Sequence, residues 1–282
     1  MMKENRCKGE NGMEQQRQPV PGSEITLEGA VNFRELGGYA AADGRRVRRG
    51  LLYRGGNLDA LQSPADRAAL ESWHLRDILD LRSAGEADKH PDPPVPGAQY
   101  HRVCAMRMQD GTEMDFSSTG IQRLAAEKAA FEREAGHPVH DFEWFSVLYR
   151  QMPFGNPAYQ LLFRLLEEHR GPLLFHCTCG KDRTGIAAML VLLALGVPRK
   201  LALTDYLLTN VYRRRIIAAS LQGKTPRDHR LLLSVEGVSA EMGAGAIDEI
   251  LQRYPSYEAY FQSEYGLDAK RLSALRDFYL TL

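Results

Sequence analysis

The sequence predicts an α/β domain: a central, mostly parallel sheet flanked by helices. Three observations carry that expectation. Short apolar runs bounded by turn residues alternate with longer helical stretches after residue 24, the pattern of parallel strands joined by crossover helices. The run Leu173-Leu174-Phe175 passes through a glycine-bearing loop into the apolar stretch Ile186 to Leu195, a buried strand feeding a buried helix. Of the 282 residues, 44% are apolar, enough to bury a sizeable core in one domain.

Taken in order, Met1 to Ser23 is polar, carries Lys3, Glu4, Arg6 and Lys8, and lacks an apolar centre, so residues 1–23 read as a disordered arm and 24–282 as a single domain. Glu24 to Leu27 and Leu51 to Arg54 read as strands. Ser63-Pro64-Ala65-Asp66 opens a helix, with Ser as N-cap and Pro at the first helical position, running to about Trp73. Arg76 to Arg82 and Tyr100 to Cys104 follow as strands. Residues 105–143 are the least regular, with Gly111, Ser117-Ser118 and a helix-like stretch from Ile121 to Arg133; an insertion beside a strand end suggests a lid. Its Met106, Met108, Met114 and Phe116 either cover an aromatic substrate or pack on the core. Helices are expected at Asp141 to Gln151 and Pro157 to His169, then the Leu173 strand and its helix, stopped by Gly196-Val197-Pro198. The remainder reads as helical, capped at Ser239, broken at Tyr254-Pro255, with a last amphipathic helix from about Asp268.

Lys plus Arg and Asp plus Glu both total 36, so no global field draws the chain to nucleic acid or to a membrane surface. Its longest apolar stretch is too short to cross a bilayer. Four cysteines, at 7, 104, 177 and 179, make no disulfide framework. A reduced, cytoplasmic setting follows, with export by a non-cleaved route left open; oligomeric state is not encoded in these patterns.

The loop from His176 to Gly185 concentrates the chemistry. It lies at a helix N-terminus, where unpaired N–H groups and the helix dipole attract an anion. Cys177 is the expected nucleophile, because neighbouring cations and the helix terminus favour its thiolate. Arg183 supplies a planar fork for two phosphoryl oxygens. Backbone and side chains from Thr178, Cys179, Gly180, Lys181, Asp182 and Arg183 are the expected phosphate cradle. Gly180 permits a conformation closed to other residues, and Gly185 lets the first helical turn approach its neighbours. Thr184 either donates a hydrogen bond to the sulfur or serves as a simple N-cap.

At these residues the chain resembles the protein tyrosine phosphatase superfamily, whose signature is a cysteine, five residues, and an arginine followed by Ser or Thr. Gly180-Lys181-Asp182-Arg183-Thr184-Gly185 resembles the bacterial tyrosine/serine branch, with dual- or triple-specificity members, some of which also act on phosphoinositides. Asn32-Phe33-Arg34-Glu35-Leu36-Gly37-Gly38-Tyr39, Leu52-Tyr53-Arg54 and Asp80-Leu81-Arg82-Ser83 agree with it in order. The likeness runs from about Ile25 to the C-terminus. It implies the cysteine-phosphatase fold and hydrolysis of phosphotyrosine, with phosphoserine or phosphothreonine as extensions, through a phosphocysteine intermediate; phosphoinositide hydrolysis is the alternative, and a phosphate-binding module without turnover a remoter one. Neither metal nor cofactor is called for.

Expelling a tyrosyl oxyanion, of conjugate acid pKa ~10, calls for a proton donor. Asp80, on a strand facing the cysteine loop, is the first candidate, Asp182 the second, and Asp110 and Asp115 come third. Asp80 has a structural alternative as partner of Arg34, Arg54 or Arg82. Members of this branch lack the mobile Trp-Pro-Asp loop of the animal enzymes, and no such tripeptide occurs here. His176 is expected to bond backbone carbonyls beneath the loop, and Lys181 to neutralise substrate or remain solvated. Arg213-Arg214-Arg215 reads as a solvated surface, with inositol phosphates as the alternative ligand. His176, Cys177 and Cys179 also have zinc-ligand chemistry, but only three donors cluster. A sulfurtransferase is disfavoured by the arginine spacing. A Cys177–Cys179 disulfide or a sulfenamide would protect an oxidised nucleophile.

Overall fold

The computed structural model describes residues 19–282 except 109, 116–119, 226–228, 230, 231 and 234. Most of the arm expected at 1–23, and Phe116 and Ser117-Ser118 of the insertion, lie outside the described residues.

One sheet dominates. Its strands are β1 (Arg34–Glu35), β3 (Leu52–Gly55), β4 (Asp77–Asp80), β5 (Gln99–Arg102) and β6 (Leu173–His176), in the order β1-β3-β6-β4-β5. Only β1 is antiparallel to its neighbour; the other pairs are parallel. Side chains alternate across β6. Leu173 and Phe175 enter the larger apolar cluster, whereas Leu174 joins Phe33, Tyr53, Leu70 and Ile78 on the opposite face. A small second sheet pairs β2 (Arg46–Val47) with β7 (Leu280–Thr281).

Helices cover both faces. α1 (Pro64–Ser72) starts with the Ser63 hydroxyl accepting from the Asp66 N–H and closes the smaller cluster. α2 (Ala84–Lys89) begins with a capping box between Ser83 and Glu86. Along the chain follow α3 (Ile121–Ala135), α4 (Asp141–Gln151), α5 (Pro157–Glu167), α6 (Arg183–Ala194), α7 (Arg199–Tyr212), α8 (Arg214–Leu221), α9 (Ala240–Arg253), α10 (Tyr257–Tyr265) and α11 (Ala269–Tyr279). All residues of α6 are buried, as its apolar sequence requires, and it packs against α7 while α4 packs against α9.

Glu24 to Leu27 does not form the expected strand; it contributes one bridge, Glu24 to Arg34. The N–H groups of Glu28 and Gly29 bond the Asp66 carboxylate, which draws the chain toward α1 and off the sheet. In the insertion, Met106, Met108, Met114 and Leu124 are core residues. Apolar burial thus fixes much of 105–143 to the domain body, and Met106 alone among these four also reaches the cavity described next.

Candidate active site

Parallel pairing aligns Gly55, His176 and Asp80 across β3, β6 and β4, so the cysteine loop emerges at the carboxyl ends of the strands, where ligands of open parallel sheets bind. Three successive loop carbonyls are held from behind. The Asn57 N–H donates to Thr178 O at 3.1 Å. Asn32 Nδ2 donates to Cys179 O and Gly180 O at 3.2 and 3.0 Å, and Arg54 Nη2 to Gly180 O at 2.7 Å. Each peptide N–H points opposite to its C=O, so the amides of Cys179, Gly180 and Lys181 turn the other way and form an anion nest. Gly180 sits at φ +64°, and a Cβ there would lie 2.5 Å from the Gly55 carbonyl. Behind the loop, Arg34 and Arg54 share the buried Asp205 at 2.9 and 2.6 Å.

Cys177 is buried at the base of this loop. Burial pushes its thiol up, but the Arg183 charge and hydrogen bonding from Thr184 outweigh it, and the net shift is downward, toward thiolate. The Thr184 hydroxyl is fully buried, and its side chain is among the groups that lower the thiol. Thr184 is not the N-cap: Asp182 occupies that position and Thr184 lies inside the first turn of α6.

Arg183 is clamped by Glu86, Nη1 to Oε2 at 2.6 Å and Nη2 to Oε1 at 2.8 Å. Glu86 also accepts from the Thr178 hydroxyl at 2.6 Å and the Ser83 N–H at 3.0 Å. Burial raises the Glu86 pKa, yet these donors, Arg183 foremost, bring it to about 2. Glu86 is the main residue the motif analysis missed. Its local signal was the spacing Ser83-x-x-Glu86 directly after Asp80-Leu81-Arg82, but nothing local tied it to Arg183, 97 positions away.

Asp80 does not face the cysteine loop as a proton donor, and the first-ranked assignment is corrected. It is fully buried, bound by Arg82 Nε and Nη2 at 2.8 Å each and by the Tyr100 hydroxyl. Burial raises its pKa, but His176 and Arg82 pull it to about 2. Asp110 is exposed and bound to Thr112 and Arg123, while Asp115 accepts from the Ser83 hydroxyl; neither lines the cavity. Asp182 does line it, and the Tyr149 hydroxyl and Lys181 Nζ both donate to its carboxylate.

That cavity, about 230 Å³, has Thr178, Cys179, Lys181, Asp182, Arg183 and Glu86 at one end and Met106, Phe145, Tyr149, Val235 and Met242 as apolar walls. Lys181 Nζ reaches Asp182 at 2.8 Å and Gly237 O at 3.2 Å. His176 places Nδ1 3.4 Å from Cys177 O and Nε2 3.1 Å from Asp92 Oδ2. The latter contact is not squarely aimed, since Nε2 makes no well-directed hydrogen bond. The zinc-like donors of His176, Cys177 and Cys179 do not converge; among the described residues the three-donor cluster is Asp80, Asp92 and His176, and Arg82 already supplies a cation there. Burial raises the Cys179 thiol, which makes it a poor partner for exchange. Arg213 is buried and donates to Glu236 O at 2.7 Å, so it anchors the segment before α9 and is not solvated surface as expected.

Residues 25–281 match the profile of the Tyrosine phosphatase family. A Cupriavidus necator protein provisionally named a tyrosine-protein phosphatase is 34% identical over 255 residues, covering 88% of this chain and 86% of its own. The triple specificity protein phosphatase PtpB of Mycobacterium tuberculosis is 31% identical over 273 residues, covering 89% and 96%. Among solved structures, P. aeruginosa TpbA in complex with pTyr aligns at 15% identity over 77% of this chain and 99% of that one, with a TM-score of 0.34.

Proposed function

Since the chain belongs to the tyrosine phosphatase family and is therefore a phosphoric monoester hydrolase, we propose that it acts on phosphotyrosine of proteins through Cys177. The thiolate attacks phosphorus while Arg183 and the amides after Cys177 hold the equatorial oxygens. The P–O bond to tyrosine breaks and Asp182 hands its proton to the departing oxygen. Water then attacks the phosphocysteine, the P–S bond breaks, Asp182 takes back a proton, and the Thr184 hydroxyl steadies the released thiolate. None of these steps draws on a cofactor.

One observation carries the substrate choice: the Cys177 loop closes a cavity walled by Met106, Phe145, Tyr149, Val235 and Met242. Such walls suit an aromatic ring leading a single phosphate to the sulfur. Phosphoinositides are the second reading, favoured by Lys181 on the cavity wall; its engagement with Asp182 and Gly237 ranks that reading below the first. Thiolate chemistry supports work in a reducing compartment; no described helix is long and apolar enough to cross a membrane.

Phosphate release is measured from phosphotyrosine, phosphoserine and phosphothreonine peptides and from each phosphoinositide. The phosphotyrosine peptide is expected to give the highest kcat/KM, and Cys177→Ser to abolish turnover on all of them. A phosphoinositide turned over better than every peptide, or activity retained by Cys177→Ser, overturns the reading.

A further inference from the structure

Glu86 grips Arg183, but Glu86 itself stands on α2, a helix of six residues. So short a helix is not held in place by its own hydrogen bonds, and among the described residues none of α2 belongs to either apolar cluster. Polar bonds seat it instead. At its C-terminal end Arg82 Nη1 donates to His90 O at 2.8 Å. At its N-terminal end the bonds go to the insertion: the Ala84 N–H donates to Glu113 Oε2 at 2.7 Å and the Ser83 hydroxyl to Asp115 Oδ1 at 3.1 Å. We propose that Glu113 is a positioning residue of the phosphatase reaction, which anchors the first turn of α2 and so fixes Glu86 against Arg183.

Every link of this chain is a direct bond. Arg102, the last residue of β5, donates through Nη1 to the two Glu113 oxygens at 3.0 and 3.1 Å and to Arg82 O at 3.3 Å, which pins the carboxylate to the sheet. Glu113 also bridges Arg107 across a short hairpin, and Met106, Met108 and Met114 beside it are core residues, so the anchor is set on a packed part of the insertion. The helix lies close against it: a Cβ on Gly85 would fall 2.7 Å from Asp115 Oδ2. From Ala84 to Glu86 is two residues. The Ser83 N–H donates to Glu86 Oε2 at 3.0 Å, the Glu86 N–H donates to the Ser83 hydroxyl at 3.2 Å, and Glu86 takes both terminal nitrogens of Arg183 at 2.6 and 2.8 Å. The first N–H groups of a helix have no carbonyl partner within it. Without Glu113 the Ala84 N–H turns to water and the first turn frays; Glu86 then shifts and misaims the guanidinium, where an error of about 1 Å costs ~10²-fold in rate.

The inference rests on Arg183 as the phosphate fork, and its first two readouts do not depend on turnover. In the unmodified protein the Ala84 N–H is expected to exchange with solvent ~10-fold or more slowly than an unstructured amide; exchange at the unstructured rate overturns the proposal even if no variant folds. In Glu113→Ala that protection is lost. The Nη signals of Arg183 in ¹⁵N NMR, separate in wild type because a two-pronged carboxylate slows rotation of the guanidinium, merge in this variant while circular dichroism is unchanged. On a phosphotyrosine peptide its kcat falls about tenfold, less than for losing an aimed oxyanion donor outright, and KM stays within about twofold. Glu113→Gln, which keeps an oxygen for Ala84, holds kcat within about threefold of wild type. Adding Glu113→Ala to Glu86→Gln lowers kcat by less than about twofold more. Arg183 signals that stay separate in Glu113→Ala, a loss in Glu113→Gln as large as in Glu113→Ala, or additive losses in the double variant overturn the assignment. Failure of the phosphatase reading shows instead as wild type releasing no phosphate, with the exchange and NMR readouts intact.

Discussion

At the scale of single residues, the reactive centre is a sulfur whose ionisation is set by its neighbours. Arg183 lowers the Cys177 thiol, and in the proposed reaction it also presents a fork to phosphate. Glu86 decides how that fork is aimed, because it grips both terminal nitrogens. Glu86→Gln keeps the shape and loses the charge; kcat is expected to fall about 10²-fold, the scale of losing one aimed oxyanion donor, with circular dichroism at 20 °C unchanged. A drop smaller than about threefold would mean that Arg183 finds its geometry without the clamp. Asp182→Asn tests the proton donor. With phenyl phosphate, a poor leaving group, kcat should fall ~10²–10⁴-fold, and far less with an activated nitrophenyl ester. Equal losses on both substrates would remove Asp182 from that role. Cys177, Arg183 and Asp182 stand out in the sequence because they share one loop, and their roles are what these variants test. Asp80 was misassigned because a carboxylate at a strand end reads the same whether it faces the loop or, as here, folds back on Arg82 two residues away.

At the scale of elements, most boundaries were written in local chemistry. Ser63 and Ser239 cap the helices they were expected to cap, the last helix begins where expected with Asp268 as its N-cap, and α4 spans the expected Asp141–Gln151. What was not legible depended on partners distant in sequence. Glu24 to Leu27 looks extended, but Asp66 captures the following amides. Arg213 looks solvated, but the segment at Glu236 arrives to bury it. The strand-loop-helix element itself depends on Gly180, whose left-handed φ and contact with Gly55 leave no room for a side chain. Gly180→Ala is expected to distort the nest, because the αL region costs an L-residue ~1–2 kcal/mol before the clash is counted. Orthovanadate affinity should fall at least tenfold, read by inhibition of residual turnover or by calorimetry. Unchanged vanadate affinity would show that the cradle does not need the glycine.

For the whole molecule, the loop is held between two buried ion arrays, Arg34–Asp205–Arg54 on the β3 side and Asp80–Arg82–Asp92–His176 on the β4 side, with the Glu86–Arg183 pair between loop and α2. Their carboxylates couple folding to pH. Burial alone would raise Asp80, Glu86 and Asp205, yet the adjacent cations win and all three are depressed, Asp80 and Glu86 to about 2. A group whose folded pKa lies below its unfolded value stabilises the native state above the unfolded pKa and loses that contribution as pH falls toward the folded one. For ordinary carboxyl values of ~4, the thermal midpoint should hold from about pH 7 to 5 and then drop steeply between roughly pH 4.5 and 2. The arrays also predict where the drop originates. Asp205→Asn leaves two buried guanidinium groups without their carboxylate and should cost about 3–5 kcal/mol, lowering the midpoint at pH 7 by roughly 6–20 °C for a domain of this size. The same variant should show a shallower decline in acid, because one of the three linked carboxylates is gone. A midpoint in wild type that stays flat down to pH 3 would mean these pairs do not govern folding, and that the loop owes its shape to the hydrogen bonds that Asn32, Arg54 and Asn57 donate to its carbonyls.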